Sequence, residues 1–250
     1  MGADTVVVVA LAAGMLVAAF GYAAVGHGGA SAYLAAMALA GIAPAEMRPV
    51  ALVLNVVVSS LATWKFYRAG HFRWRLFWPF AAAAIPLAYV GGAITLPGQA
   101  YKVLVGLVLL YAAWQLWRSA RVGDELREVR EPPLAAAMAI GAAMGLLAGL
   151  TGVGGGIFLS PLLLMLGWAG TKQTSAVAAP FILVNSVAGL AAIFINQDSS
   201  LPTYVWALAP AVLVGGWLGA EYGSRRFANP MVRQVLAVVL ALAGAKMISL

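Results

Sequence analysis

The chain has 250 residues, of which 63% are hydrophobic and only 9% charged. A soluble domain carries about a quarter charged residues, so this composition reads as an integral membrane protein with no room for a sizeable soluble domain. There is no cysteine, which excludes disulfides, thiolate nucleophiles and Cys-based metal sites. The net charge of +7 lies in short loops between apolar runs, and that fits positive-inside topology rather than nucleic-acid binding.

Ten apolar runs follow in chain order. The first five are Val6–Tyr22, Ala30–Ile42, Val50–Trp64, Leu76–Leu96 and Val103–Trp117. The second five are Leu134–Leu150, Ile157–Trp168, Ala176–Ile195, Val205–Gly219 and Val235–Ile248. The first positive charge is Arg48, so the N-terminus lacks the basic stretch of a signal peptide and its apolar start reads as a retained membrane segment. The second run of each set has 13 or 12 residues. That reaches about 18–20 Å at 1.5 Å per residue, against a hydrocarbon core about 30 Å thick. These two runs are expected to be half-helices or re-entrant segments.

A glycine cluster precedes each short run: Gly26-His27-Gly28-Gly29 and Gly152-Val153-Gly154-Gly155-Gly156. Consecutive glycines release the backbone from helical geometry, and a bilayer tolerates such a break only where protein or a water-filled cavity satisfies the exposed amides. Beyond each break the chain turns near Gly41 or Gly167 and re-enters an apolar run with a lone asparagine, Asn55 or Asn185. Pro86–Gly92, ending in Gly91-Gly92, then mirrors Pro210–Gly216, ending in Gly215-Gly216, at the same spacing. Four features in the same order indicate an internal duplication.

The basic residues orient the copies. The loop after the first Asn run holds Lys65, Arg68, Arg73 and Arg75, whereas 196–204 holds none. Assigning loops 65–75, 118–133, 169–175 and 220–233 to the cytoplasm gathers twelve of the fifteen Lys and Arg there, leaving Arg48, Lys102 and Lys246 opposite. The expected protein is therefore all-α, with two inverted-topology repeats of about five segments each: 1–117, a cytoplasmic linker 118–133, and 134–250. Both termini fall outside a cell (inner) membrane. Discontinuous helices in inverted repeats are characteristic of secondary transporters. The linker alternates arginines with Asp124, Glu125, Glu128 and Glu131 and reads as a solvated mixed-charge loop, with a regulatory role as the alternative.

A helix restarting after a glycine break presents free N–H groups and about half a positive charge. No Lys or Arg falls in the middle of any run, so backbone dipoles are the least costly way to hold an anion there. Gly26, Gly28, Gly29, Gly152, Gly154, Gly155 and Gly156 are candidate substrate contacts; close helix packing is the other reading of such glycines. Asn55 with Ser59 four residues on, and Asn185 with Ser186, offer donors to an anion's oxygens or interhelical hydrogen bonds. His27 is a candidate for proton coupling near its reference pKa of about 6.5, or a histidine bonded to a backbone carbonyl. Thr174 and Ser175 are expected to cap the next helix, substrate contact being the alternative. His71 reads as a solvated loop residue.

Neither a His-Glu-x-x-His motif nor paired core acids are present, so an enzyme is not expected. A cation transporter usually needs intramembrane carboxylates, and the nearest, Glu221, falls at a cytoplasmic edge; an anion channel using the same site stays open. No nucleotide-binding P-loop is present, no cofactor or metal is expected, and the partners are a small anion and the lipid bilayer, with a homodimer possible.

The glycine clusters, Asn-bearing runs and repeated Pro…Gly-Gly segments together resemble the sulfite exporter TauE/SafE family over essentially the whole chain. The likeness is strongest at Gly152–Pro161. The first repeat departs from it: His27 fills the variable position, Ala30 stands where a third consecutive glycine is usual, and no proline follows. The resemblance implies transport of small sulfur-containing anions such as sulfite, sulfonates, sulfoacetate or thiosulfate.

Overall fold

The computed structural model describes residues 2–119, 130–197, 200–225 and 230–249. The linker acids Asp124, Glu125 and Glu128 lie outside the described residues. Ten helices follow in order: α1 (Gly2–Ala23), α2 (Ala30–Leu39), α3 (Pro44–Arg68), α4 (Trp74–Ala93), α5 (Gly98–Ser119), α6 (Leu134–Thr151), α7 (Gly156–Met165), α8 (Thr171–Asn196), α9 (Val205–Arg225) and α10 (Pro230–Ser249). Seven of them are long and apolar enough to cross a membrane: α1, α3, α4, α5, α6, α8 and α9. The chain is a multi-pass, all-helical membrane protein.

α2 and α7 have ten residues each, about 15 Å of helix and half of a hydrocarbon core. They are the half-helices expected from the two short runs. Gly29 and Gly155 cap their N-termini in the left-handed region, at φ 95° and 81°, where a Cβ would clash with the backbone.

The helices pack in two matching sets. α1 lies along α9 and α9 along α3; α6 lies along α4 and α4 along α8; α3 meets α8 between the sets, and α5 pairs with α10. Exchanging α1–α5 with α6–α10 reproduces these pairs, and the Gly-Gly segments obey the same exchange. Gly91 of α4 abuts Leu146 of α6 and Gly92 abuts Gly189 of α8, while Gly215 of α9 abuts Leu16 of α1 and Gly216 abuts Val58 of α3. In each segment the first glycine faces a broken helix's long arm and the second faces the Asn-bearing helix.

Glycines spaced by four set the depth of this packing. Gly141, Gly145 and Gly149 of α6 lie against the carbonyls of Phe80, Ala84 and Ala88 in α4; Gly215 and Gly219 of α9 lie against those of Leu16 and Phe20 in α1, and Gly223 against that of Ala24 just beyond it. Lipid tails supply no hydrophobic drive for helices to associate, so close backbone approach through small residues provides it.

A side chain at these positions has nowhere to go. Gly145→Leu and Gly219→Leu are each expected to cost about 1–3 kcal/mol or more, at about 2–4 °C of melting temperature per kcal/mol for a chain of this size. Gly14→Ala, where nothing lies within 4 Å of the added carbon, serves as the neutral control. Thermal unfolding of the detergent-purified variants measures the difference.

Candidate functional site

The two glycine breaks meet at the side chain of Asn55, which is fully buried near the middle of α3. Its Oδ1 accepts from the Ala30 N–H at the start of α2, 3.1 Å away. Its Nδ2 donates to the Val153 carbonyl of the second break at 3.3 Å and to Ser186 Oγ of α8 at 3.2 Å. The amide's orientation is dictated by these partners, because an N–H needs an acceptor and a carbonyl a donor. Gly28 and Gly154 both lie against Asn55 and Ile182. A further tie crosses between the breaks: His27 Nε2 sits 3.2 Å from the Gly156 carbonyl and donates to it.

Each break also has its own braces. Tyr33 Oη donates to the Gly28 carbonyl at 2.9 Å, and Ser31 Oγ donates to Tyr22 Oη at 2.8 Å. On the other side Thr151 Oγ1 accepts from the Val153 N–H at 3.3 Å, and Tyr101 Oη donates to the Thr151 carbonyl at 3.2 Å. Among the described residues, the N–H groups of Gly28, Gly29, Gly154 and Gly155 donate to no protein acceptor. Unpaired amides of this kind at the heads of two helices form a positive, donor-rich region.

The other expected site residues are distributed around this junction. Ser59 Oγ donates to the Asn55 carbonyl within its own helix at 2.6 Å and does not reach a break. Gly26 packs against Ser175, and Gly152 against Arg48, at opposite ends. Asn185 is fully buried, and neither Nδ2 nor Oδ1 has a hydrogen-bond partner. Asn55 thus has both amide hydrogens occupied by protein, whereas Asn185 has its full bonding capacity unused. The capping expectation for Thr174 and Ser175 fails. α8 starts earlier, at Thr171 with Gly170 as its cap and no side-chain cap bond, because the polar Thr171–Ser175 stretch is itself helical. Ser175 Oγ instead donates to the Val25 carbonyl of the first break at 2.9 Å.

A cavity of about 100 Å³ opens beside the junction, with His27 and Ile157 on its walls. Ser160 of α7, Thr174 of α8 and Gln115 of α5 also line it. Ser160 Oγ, Thr174 Oγ1 and Gln115 Oε1 are buried without a hydrogen-bond partner, an arrangement that favours a polar occupant. Sequence reasoning missed Ser160 and Gln115. Ser160 sits one turn beyond the glycines inside a legible motif, whereas Gln115 gave no signal.

Arg48 was expected in an outer loop. It is instead the fifth residue of α3 and only 6% exposed. Its guanidinium donates to the carbonyls of Ile94, Gly91 and Gly92 at 2.9, 2.7 and 2.5 Å. These carbonyls end α4, where a helix favours a cation.

Replacing Asn55 with Leu leaves the Ala30 N–H and the Val153 carbonyl buried and unpaired, at about 1–3 kcal/mol for each. Ser186→Ala leaves Asn55 its other two bonds and is expected to cost about 1 kcal/mol. Melting temperatures of the two variants in detergent should preserve that order.

A family model described as sulfite exporter TauE/SafE matches residues 10–247. The chain is 40% identical over 243 residues to a "Probable membrane transporter protein y4hK" of Sinorhizobium fredii (strain NBRC 101917 / NGR234), covering 96% of this chain and 98% of that one. It is 26% identical over 201 residues to a "Probable membrane transporter protein ORF9" of Sinorhizobium sp, covering 79% and 75%. No solved structure matches the chain significantly.

Proposed function

The chain belongs to the sulfite exporter TauE/SafE family of membrane transporters, and we propose that it is a secondary carrier of small sulfur-containing oxyanions such as sulfite, sulfonates or thiosulfate. The observation that carries this reading is the junction of two half-helix heads whose glycine N–H groups have no protein acceptor. An oxyanion accepts from several N–H groups at once, and the helix dipoles favour its charge, while the guanidinium of the buried Arg48 beside Gly152 is bound to the end of α4. The nearby cavity supplies the approach, with the unpartnered Ser160 and Thr174 hydroxyls as donors along it.

In this reading the loops rich in Lys and Arg face the cytoplasm and both termini lie outside. Thr171, Lys172 and Gly223 line the cavity, so the site opens inward, while the end held by Arg48 faces out and is closed. Alternating access would be a rocking of one helix set, α1, α3 and α9, against the other, α4, α6 and α8. The glycine contacts lock helices within each set, and the α3–α8 boundary between sets carries the Asn55–Ser186 bond.

Flux into proteoliposomes tests the reading, using sulfite, sulfoacetate, thiosulfate and sulfate with and without a pH gradient. Saturable, counter-transported flux of a sulfur oxyanion is expected, and Ser160→Ala with Thr174→Val should raise its KM about tenfold with a smaller effect on the maximal rate. Large ohmic currents would identify a channel, and no specific flux of any anion would sink the assignment. For proton coupling, His27→Gln should flatten the dependence of flux on pH between about 5.5 and 8, the range over which a histidine titrates. An unchanged profile would assign His27 to bracing the Gly156 carbonyl alone.

A further inference from the structure

Away from the junction, a second cavity of about 50 Å³ is enclosed by three stretches distant in sequence: the start of α4, the residues leading into α6, and the α7–α8 turn. Arg73, Arg75 and Arg130 line it, with Glu131 as the one acidic lining residue and Leu76 and Trp168 as apolar walls. The Arg130 N–H donates to the Gly167 carbonyl at 2.9 Å, fixing that strand of the wall to the α7–α8 turn.

The three positive charges here exceed the one negative charge. Among the described residues none of the three arginines forms an ion pair. Arg73 caps α4 and Arg75 lies in its first turn, which has no acidic residue, so both cations stand at the positive end of a helix dipole, where an anion is favoured and a cation is not. His71, in the same loop, is held below its ordinary pKa by burial and then by the positive charge of Lys172, so α8 adds to the same field. Around the cavity the helix ends carry exposed indoles, Trp74 at 63% and Trp78 at 39%. Indoles favour headgroup depth, which sets the cavity at the membrane–water interface. Guanidinium groups are planar forks that match the oxygens of a phosphate.

We propose that the cavity of Arg73, Arg75 and Arg130 binds a phosphate group, supplied either by the headgroup of an acidic membrane phospholipid or by free inorganic phosphate. Bound there, the phosphate would join the entry to α6 to the start of α4, two segments that otherwise repel through their arginines. The site is separate from the transport junction, so its test does not depend on which anion is carried.

The experiment uses the delipidated full-length protein in neutral detergent, titrated with phosphatidylglycerol, phosphatidylcholine or inorganic phosphate and read by native mass spectrometry and thermal shift. Phosphatidylglycerol is expected to bind at one tight equivalent and raise the melting temperature by several degrees, with phosphatidylcholine at least tenfold weaker. If inorganic phosphate reproduces and competes with the effect, the free ion is a source; if only the lipid acts, the headgroup is. The combined variant Arg73→Gln, Arg75→Gln and Arg130→Gln should lose at least tenfold in affinity, and Arg68→Gln with Arg118→Gln should lose less than twofold. Should the triple variant fail to fold, Glu131→Gln, which removes the opposing charge, should tighten binding at least twofold. Equal binding of both lipids with no phosphate response, undiminished binding by the triple variant, or no gain in Glu131→Gln would overturn the proposal.

Discussion

A backbone amide inside a bilayer must find a partner, and at this chain's two helix breaks one side chain does much of that work. Asn55 reaches from α3 to the head of α2 with its oxygen and to the second break and α8 with its nitrogen. It fastens two interruptions lying about 125 residues apart in the chain. A hydrocarbon environment makes each unpaired group cost several kcal/mol, so the breaks depend on this fastening. The glycine amides that it leaves over are then a positive surface held in fixed geometry. In the proposed site, structural glue and site construction would be the same interaction.

The second condition is how closely the helices approach. Because the α6 glycines meet α4 carbonyls and the α9 glycines meet α1 carbonyls, each broken helix's long arm is clamped to a helix from the other half of the sequence. The packed units are consequently not the sequence halves. α9 packs against both α1 and α3, and α4 against both α6 and α8, and the asparagine junction lies where α3 meets α8.

Much of this was legible in the sequence, and what was not has physical reasons. Ten apolar runs became ten helices, and the short runs became half-helices headed by Gly29 and Gly155, because glycine clusters and run length act locally. The helices run past the apolar segments, as α3 does by starting at Pro44 rather than Val50, because a helix end leaving hydrocarbon can carry Glu46 and Arg48 without ceasing to be a helix. Asn55 was recognisable as a residue needing partners, but Val153 and Ser186 lie 98 and 131 residues away, and nothing local names them. Arg48 looked like a loop charge for the same reason, its three carbonyl partners lying 43 to 46 residues downstream. The four-residue spacing of glycines in α6 and α9 went unread, because their carbonyl partners lie on helices distant in the chain.

The two ends of the junction are alike in packing and unlike in chemistry. Arg48 is the fifth residue of α3 and faces Gly152; Ser175 is the fifth residue of α8 and faces Gly26. In register, then, one end has a guanidinium and the other a hydroxyl. The hydroxyl makes a single bond to the Val25 carbonyl, and a cavity lies open beside it. The guanidinium makes three charge-assisted bonds to the end of α4, each stronger than a neutral one. In the proposed carrier, opening at the Arg48 end would require breaking those bonds or moving α4 with α3, whereas closing at the Ser175 end would require only that small side chains approach. Matched helices with unmatched polar groups would therefore give such a carrier a junction whose two faces differ in the work needed to expose them.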